Sequence, residues 1–137
     1  MLYLNQHFEF SAAHRLHNPT LSDADNRKTF GKCNNPAGHG HNYQVKVSIT
    51  GTPGPDGTLL PVASLDEIVN RHVIDHLDHK HLNEQVPEFD QSAGGVNPSV
   101  ENIAMVVYRR LAPHVAPARL AAVTVWETPK TWAEYSE

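Results

Sequence analysis

The chain has 137 residues, enough for one domain that buries a core without disulfide or metal staples. Hydrophobic residues at 39% and charged residues at 19% exclude a charge-dominated disordered chain, and no apolar run reaches the ~18 residues that suggest a membrane span. With 11 basic against 15 acidic residues the formal net charge is -4, which argues against a general nucleic-acid binder, and one cysteine excludes an intrachain disulfide.

Tyr3 to Ala13 alternates. Phe8, Phe10 and Ala12 share one parity, with Glu9 and Ser11 on the other, as in a half-buried strand, and His14 continues the apolar parity. His17 to Gly38 is polar throughout and reads as a long loop of the kind that carries function. Asn42 to Gly51 is the clearest strand, with Tyr43, Val45, Val47 and Ile49 on one face; extended backwards, that parity also takes in His41 and His39. A Pro- and Gly-rich turn follows from Thr52 to Gly57, and Leu59-Leu60 restarts a short extended segment.

Ser64-Leu65-Asp66-Glu67 has the pattern of a capping box, with Leu65, Ile68, Val69, His72 and Val73 at helical spacing behind it and the helix fading near His76. Leu77 to Asn83 is a histidine-rich polar loop. A second helix opens at Asn97-Pro98-Ser99, with the proline in its first turn; Val100, Ile103, Ala104, Val107 and Leu111 form its stripe, and Pro113 ends it. Leu120 to Glu127 and Thr131 to Tyr135 are the last strands. We see one domain over residues 1–137. The order predicts an α+β fold: a four-stranded antiparallel sheet with two helices on one face, and open edges that invite pairing with other subunits.

Ten histidines stand out against this composition. In His39-Gly40-His41, two imidazoles at i and i+2 of a strand project to one side, and His14 can supply a third. Three histidines with an open fourth position describe a catalytic zinc site; unrelated core or surface histidines are the alternative. Cys33 is either a small buried hydrophobe or a base, since a nearby cation favours its thiolate. Asp78-His79 is either a relay, in which the carboxylate orients the imidazole, or part of a solvated loop beside His76 and His81. Glu127 shares the parity of Val123 and Val125. A carboxylate there needs partners, either an Arg or Lys or two adjacent N–H donors of a flat heterocycle. Glu101, in the first turn of the second helix, complements the helix dipole. The single cysteine and the lack of a leader-like opening point to a reducing, cytoplasmic setting.

Taken together, Phe10-Ser11-Ala12-Ala13-His14-Arg15-Leu16 and the run from Gly31-Lys32-Cys33 through His39-Gly40-His41-Asn42-Tyr43 resemble the 6-pyruvoyl-tetrahydropterin synthase family. Leu77-Asp78-His79-Lys80, Glu101-Asn102 and Glu127-Thr128 follow in the expected order, so the resemblance spans nearly the whole chain. It implies a T-fold (tunnelling fold) whose subunits join into a trimeric barrel, with two trimers stacked as a homohexamer and active sites between subunits. It also implies that His14, His39 and His41 bind Zn2+, that Cys33 is the proton-abstracting base, and that Asp78 and His79 are its relay. Glu127 matches the carboxylate that anchors the pterin ring and is sometimes counted in the relay; Ser99 and Glu101 fall where further pterin contacts are made.

The implied substrate is 7,8-dihydroneopterin triphosphate, with no nucleic acid or membrane partner. The sequence departs from the family at Pro61 and Ser64, where an acidic or amide residue and an aspartate are usual, and at Val100, where a threonine or serine is common. Those changes bear on pterin contacts or subunit fit, not on the metal or base positions. Within the family, Cys33-x5-His39 resembles the 6-pyruvoyl branch; the 6-carboxytetrahydropterin branch, which releases acetaldehyde, more often has a three-residue gap. A pterin- or metal-binding protein without catalysis is the remaining alternative, and it gives no reason for a base and its relay.

Overall fold

A computed structural model describes residues 1–137. Two long strands, β1 (Tyr3–His14) and β2 (His39–Thr50), pair antiparallel in a register that sets Tyr3 against Thr50 and His14 against His39. The pairing follows from the alternation: Phe10 and Ala12 on β1 and Tyr43, Val45, Val47 and Ile49 on β2 are all buried on one face. After β4 (Arg119–Thr128) and β5 (Thr131–Tyr135), the sheet order is β3-β1-β2-β4-β5, where β3 is the two-residue strand Lys80–His81.

The sheet is therefore five-stranded and mixed, not four-stranded and antiparallel, because β3 runs parallel to β1 beside Ala12 and Ala13. So short a strand has no period to read. The α+β class and the helix-covered apolar face are as expected.

Three helices matter for the site. α1 (Asp23–Phe30) lies inside the segment read as a loop. It has no apolar stripe; Ser22 Oγ accepts from Asp25 N at 3.1 Å, Asp23 and Asp25 occupy the first turn, and Arg27 and Lys28 the last. Caps and dipole-matched charges form this helix, which hydrophobic periodicity cannot detect. A 3-10 turn, Gly31–Asn34, then carries Cys33.

α2 (Val62–Val69) starts at Val62 with Pro61 in the capping position, so the Ser64–Glu67 capping box does not form. Ser64 N and Leu65 N instead donate to Pro61 O, because the φ of proline already suits a helix start. The helix continues through a π-helical turn, Asn70–Ile74, and ends at Leu77. Leu59 and Leu60 are buried but belong to no strand.

α3 (Val100–Leu111) is capped by Ser99, whose hydroxyl accepts from Asn102 N at 3.3 Å, so Pro98 precedes the helix instead of entering its first turn. Leu65, Val69 and Val73 of the α2 segment and Ile103, Val107 and Leu111 of α3 pack on the sheet in one cluster of 26 buried residues. No helix is long and apolar enough to cross a membrane.

Candidate active site

The strand parity that buries Phe10 and Tyr43 delivers His14, His39 and His41 to the same face at the end of the β1–β2 ladder that residues 15–38 connect. His14 Nε2 lies 3.1 Å from His39 Nε2, and His41 Nε2 lies 3.1 Å from His39 Nε2. Cys33 joins them: the ligand atoms of His14, Cys33, His39 and His41 all lie within 4.8 Å of one another.

Glu127 reaches the cluster from β4. The β4–β5 register shifts between Trp126 and Thr128, an irregularity of the kind that re-aims a side chain. Glu127 Oε1 lies 3.2 Å from both His14 Nε2 and His41 Nε2. It is buried and lacks an aligned hydrogen-bond donor.

The tautomer of His14 decides what this convergence means. His14 is fully buried, and its Nδ1 sits 2.8 Å from the carbonyl oxygen of Pro98. A carbonyl only accepts, so Nδ1 carries the proton and Nε2 presents a lone pair. Glu127 Oε1 and His14 Nε2 thus face each other as two acceptors, which asks for a cation between them. Three ring nitrogens spaced near 3 Å fit that demand, since a tetrahedral ion with bonds of ~2.0–2.1 Å holds its ligands about 3.3 Å apart. The site can hold a metal ion, and the Pro98 carbonyl is the outer partner that orients one ligand.

Electrostatics agree. Burial, then the neighbouring His14, hold His39 below the ordinary histidine range; burial does the same for His41 against the opposing pull of Glu127. Both shifts favour the neutral ring, the form a metal ligand needs. The contact with His14, with His41 and His39 behind it, holds the Glu127 carboxyl below its usual range. Burial, and then the Glu127 charge, push the Cys33 thiol up, and burial pushes the Tyr43 phenol up strongly. Tyr43 Oη lies 3.3 Å from His14 Nδ1.

A set of amide clamps holds Cys33 in place. Leu16 N donates to Cys33 O at 2.7 Å, and Asn34 Nδ2 donates to Leu16 O at 2.7 Å. Buried Asn26 ties α1 to the chain before it through Asn18 N and Asn18 O. Sequence reasoning missed Tyr43, Pro98, Asn26 and Asn34; only the buried-face parity of Tyr43 was there to be read.

The remaining candidates are placed differently. Asp78 and His79 stand at the β1 edge, where Ser11 N donates to Asp78 Oδ1 at 2.9 Å and His79 N donates to Ser11 O at 2.6 Å. His79 Nδ1 lies 2.9 Å from Asp78 Oδ2, and its side chain is 82% exposed. His79 has φ +58°, a left-handed conformation unusual outside glycine that these bonds hold in place. The bonds from Ser11 N and His79 hold the Asp78 carboxyl below its ordinary range. His79 borders a groove with Ser11, Ala13, Gly40, Asn42 and, from the cluster itself, His41. One chain therefore joins Cys33 and Glu127 to the histidines and leaves Asp78–His79 at the sheet edge, outside that cluster. Ser99 uses its hydroxyl as the α3 cap, and Glu101 is exposed in the first turn of that helix. Glu127 also borders a cleft of about 570 Å³ with His7, Asn42, Gln44, Trp126 and Thr128.

Comparison with known proteins gives one consistent result. The family model described as 6-pyruvoyl tetrahydropterin synthase matches residues 3–137. A human 6-pyruvoyl tetrahydrobiopterin synthase is 39% identical over 126 residues, covering 91% of this chain and 84% of the human protein. The solved structure of Caenorhabditis elegans 6-pyruvoyl tetrahydropterin synthase superposes with a TM-score of 0.89 at 37% identity, covering 99% of this chain and 95% of that one. A Haemophilus influenzae 6-carboxy-5,6,7,8-tetrahydropterin synthase is 27% identical over 154 residues, covering 100% of both proteins.

Proposed function

The chain belongs to the 6-pyruvoyl tetrahydropterin synthase family, and on that premise we propose that it is a zinc-dependent lyase converting 7,8-dihydroneopterin triphosphate to 6-pyruvoyl-tetrahydropterin and triphosphate. The observation that carries this reading is the meeting of three imidazole nitrogens with one thiol, all four ligand atoms within 4.8 Å. That donor set supplies an electrophile and a base at one point. A binding protein would not need the second.

Zinc, when bound, supplies a Lewis acid without redox chemistry, which polarises the side-chain hydroxyls of the substrate and favours the thiolate form of the adjacent cysteine. Cys33 takes a proton from the substrate side chain, and tautomerisation carries electrons into the ring before triphosphate leaves. Burial, and then Glu127, favour the neutral thiol, and a bound cation would favour the thiolate instead. His79 donates through Nδ1 to Asp78, which leaves Nε2 to exchange protons with the medium or the reacting centre.

Asp78–His79 stands at the sheet edge, outside the cluster that holds Cys33 of its own chain, and in this reading the relay is completed by a neighbouring copy. The open edges of the sheet and the resemblance to barrel-forming hexamers support that arrangement. Glu127 is the residue we assign to the pterin ring, because it borders both the cluster and the cleft beside Trp126. Ser99 contributes as the cap that fixes the start of α3, and Glu101 is left free for a contact across subunits.

The test is product identification by mass spectrometry after incubation of zinc-loaded protein with 7,8-dihydroneopterin triphosphate. A 6-pyruvoyl product with released triphosphate is expected. A 6-carboxy product with acetaldehyde would move the chain to the other branch of its family, and unchanged substrate would remove the catalytic reading.

A further inference from the structure

Beside the turn that carries Cys33 lies a cleft of about 380 Å³ with no large hydrophobic side chain in its lining. It is lined by Arg15, Arg27, Lys32 and Asn34, with Asp23 the one carboxylate, so three cations face one anion in a chain whose net charge is -4. None of the three cations makes an ion pair. Clustered unpaired cations repel one another. A sequence with an acidic surplus can separate or neutralise them, so their presence together in one concavity points to an anionic ligand.

Arg15 is more than a surface charge. Its backbone N and O are clamped by the Asn83 side chain at 2.8 Å each, and its Nε donates to Asn34 O at 3.1 Å. The guanidinium is thus held from both ends while its two terminal amino groups stay uncommitted. A fork fixed in this way meets phosphate oxygens with little ordering cost. Arg27 comes from the last turn of α1, and Lys32 from the 3-10 turn that carries Cys33. Two of the cations are therefore chain neighbours of site residues: Arg15 follows His14, and Lys32 precedes Cys33.

We propose that Arg15, Arg27 and Lys32 form a binding site for a chain of linked phosphates. Resting on the function proposed above, its occupant is the triphosphate of the substrate, which extends from the histidine cluster into this cleft. A free polyphosphate has the same chemistry and would occupy the same groups.

The experiment titrates inorganic tripolyphosphate into the full-length zinc-loaded protein by calorimetry, with Arg27→Gln and Lys32→Gln as exposed substitutions that leave the core untouched. Each should weaken binding about threefold, and the pair together more, with the difference shrinking as salt is raised. Arg15→Gln should cost about tenfold or more, because a held fork is lost. His39→Ala separates this site from direct coordination of phosphate by the metal: binding should persist there. In steady-state kinetics with 7,8-dihydroneopterin triphosphate, the Arg27 and Lys32 losses should fall on KM rather than kcat. Tripolyphosphate binding that is unchanged in Arg27→Gln and Lys32→Gln, or abolished by His39→Ala alone, overturns the site even if turnover is normal. Arginine-dependent tripolyphosphate binding in a protein that turns over no pterin leaves the site standing and removes the proposed reaction instead. Binding that depends on Arg27 and Lys32 together with an unmoved KM identifies the ligand as free polyphosphate and overturns its assignment to the substrate.

Discussion

The histidine cluster and the Asp78–His79 pair both adjoin β1, yet they differ in almost every physical respect. The cluster sits where two twelve-residue strands bury one face, so its ligands are fixed by backbone register and His14 is fully buried. The pair is attached to the sheet edge at Ser11, and His79 is 82% exposed. Metal binding needs several atoms held to a few tenths of an ångström, which strands provide. Proton exchange needs one movable group with access to its partner, which an edge provides. The comparison teaches that one chain gathers a donor set able to hold a metal ion, while the Asp78–His79 pair stands apart from it at the sheet edge.

The sharpest way to break this division is at a ligand. His39→Ala should lower both zinc content and turnover, the latter to near background, as metal analysis and triphosphate release would report; full zinc retention would remove His39 from the ligand set. His79→Asn probes the other half. Asparagine tolerates the left-handed backbone, so the fold should hold while turnover falls about 100-fold and zinc content stays full. Loss of zinc in that variant would mean that the two halves are one. Mixing this variant with Cys33→Ala sharpens the point: activity should return in the mixture if the relay comes from a neighbouring copy, and should not if each chain serves itself.

A smaller effect is expected at Glu127→Gln. The carboxylate charge should matter for holding the pterin, so KM for the substrate should rise about tenfold. An unchanged KM would leave Glu127 only its contact with the histidines. The smallest effect lies far from either half. Glu88 pairs with Arg110 at 2.6 and 2.7 Å, and this hydrogen bonding holds the Glu88 carboxyl below its ordinary value of 4.5. A depressed carboxylate contributes stability that is present above that value and is lost as pH falls through the lower, folded one. Acid unfolding of Glu88→Gln should therefore show less pH dependence below about pH 4.5, with turnover at neutral pH unaffected.

The two regions were also unequally legible in the sequence. Strand parity alone sets His14, His39, His41 and Glu127 on one face, because successive side chains in a strand must alternate. Asp78–His79 could be recognised as a pair, but β3, only two residues long, has no pattern to announce it, and so the sheet's fifth strand and the pair's place at the β1 edge were hidden. α1 was hidden for another reason: its stability comes from Ser22 and from end charges, not from an apolar stripe. The Ser64 box failed because a helix start is set by backbone geometry, and Pro61 supplied that geometry three residues earlier. The lock on His14 by the Pro98 carbonyl spans 84 positions, a contact that only the packed fold can make.

The most direct test of the account is zinc content and triphosphate release measured side by side in Cys33→Ala. The account predicts full zinc and a fall in release of about 1,000-fold, because the base is lost and the metal half is left intact. Undiminished release from the zinc-loaded variant would contradict it.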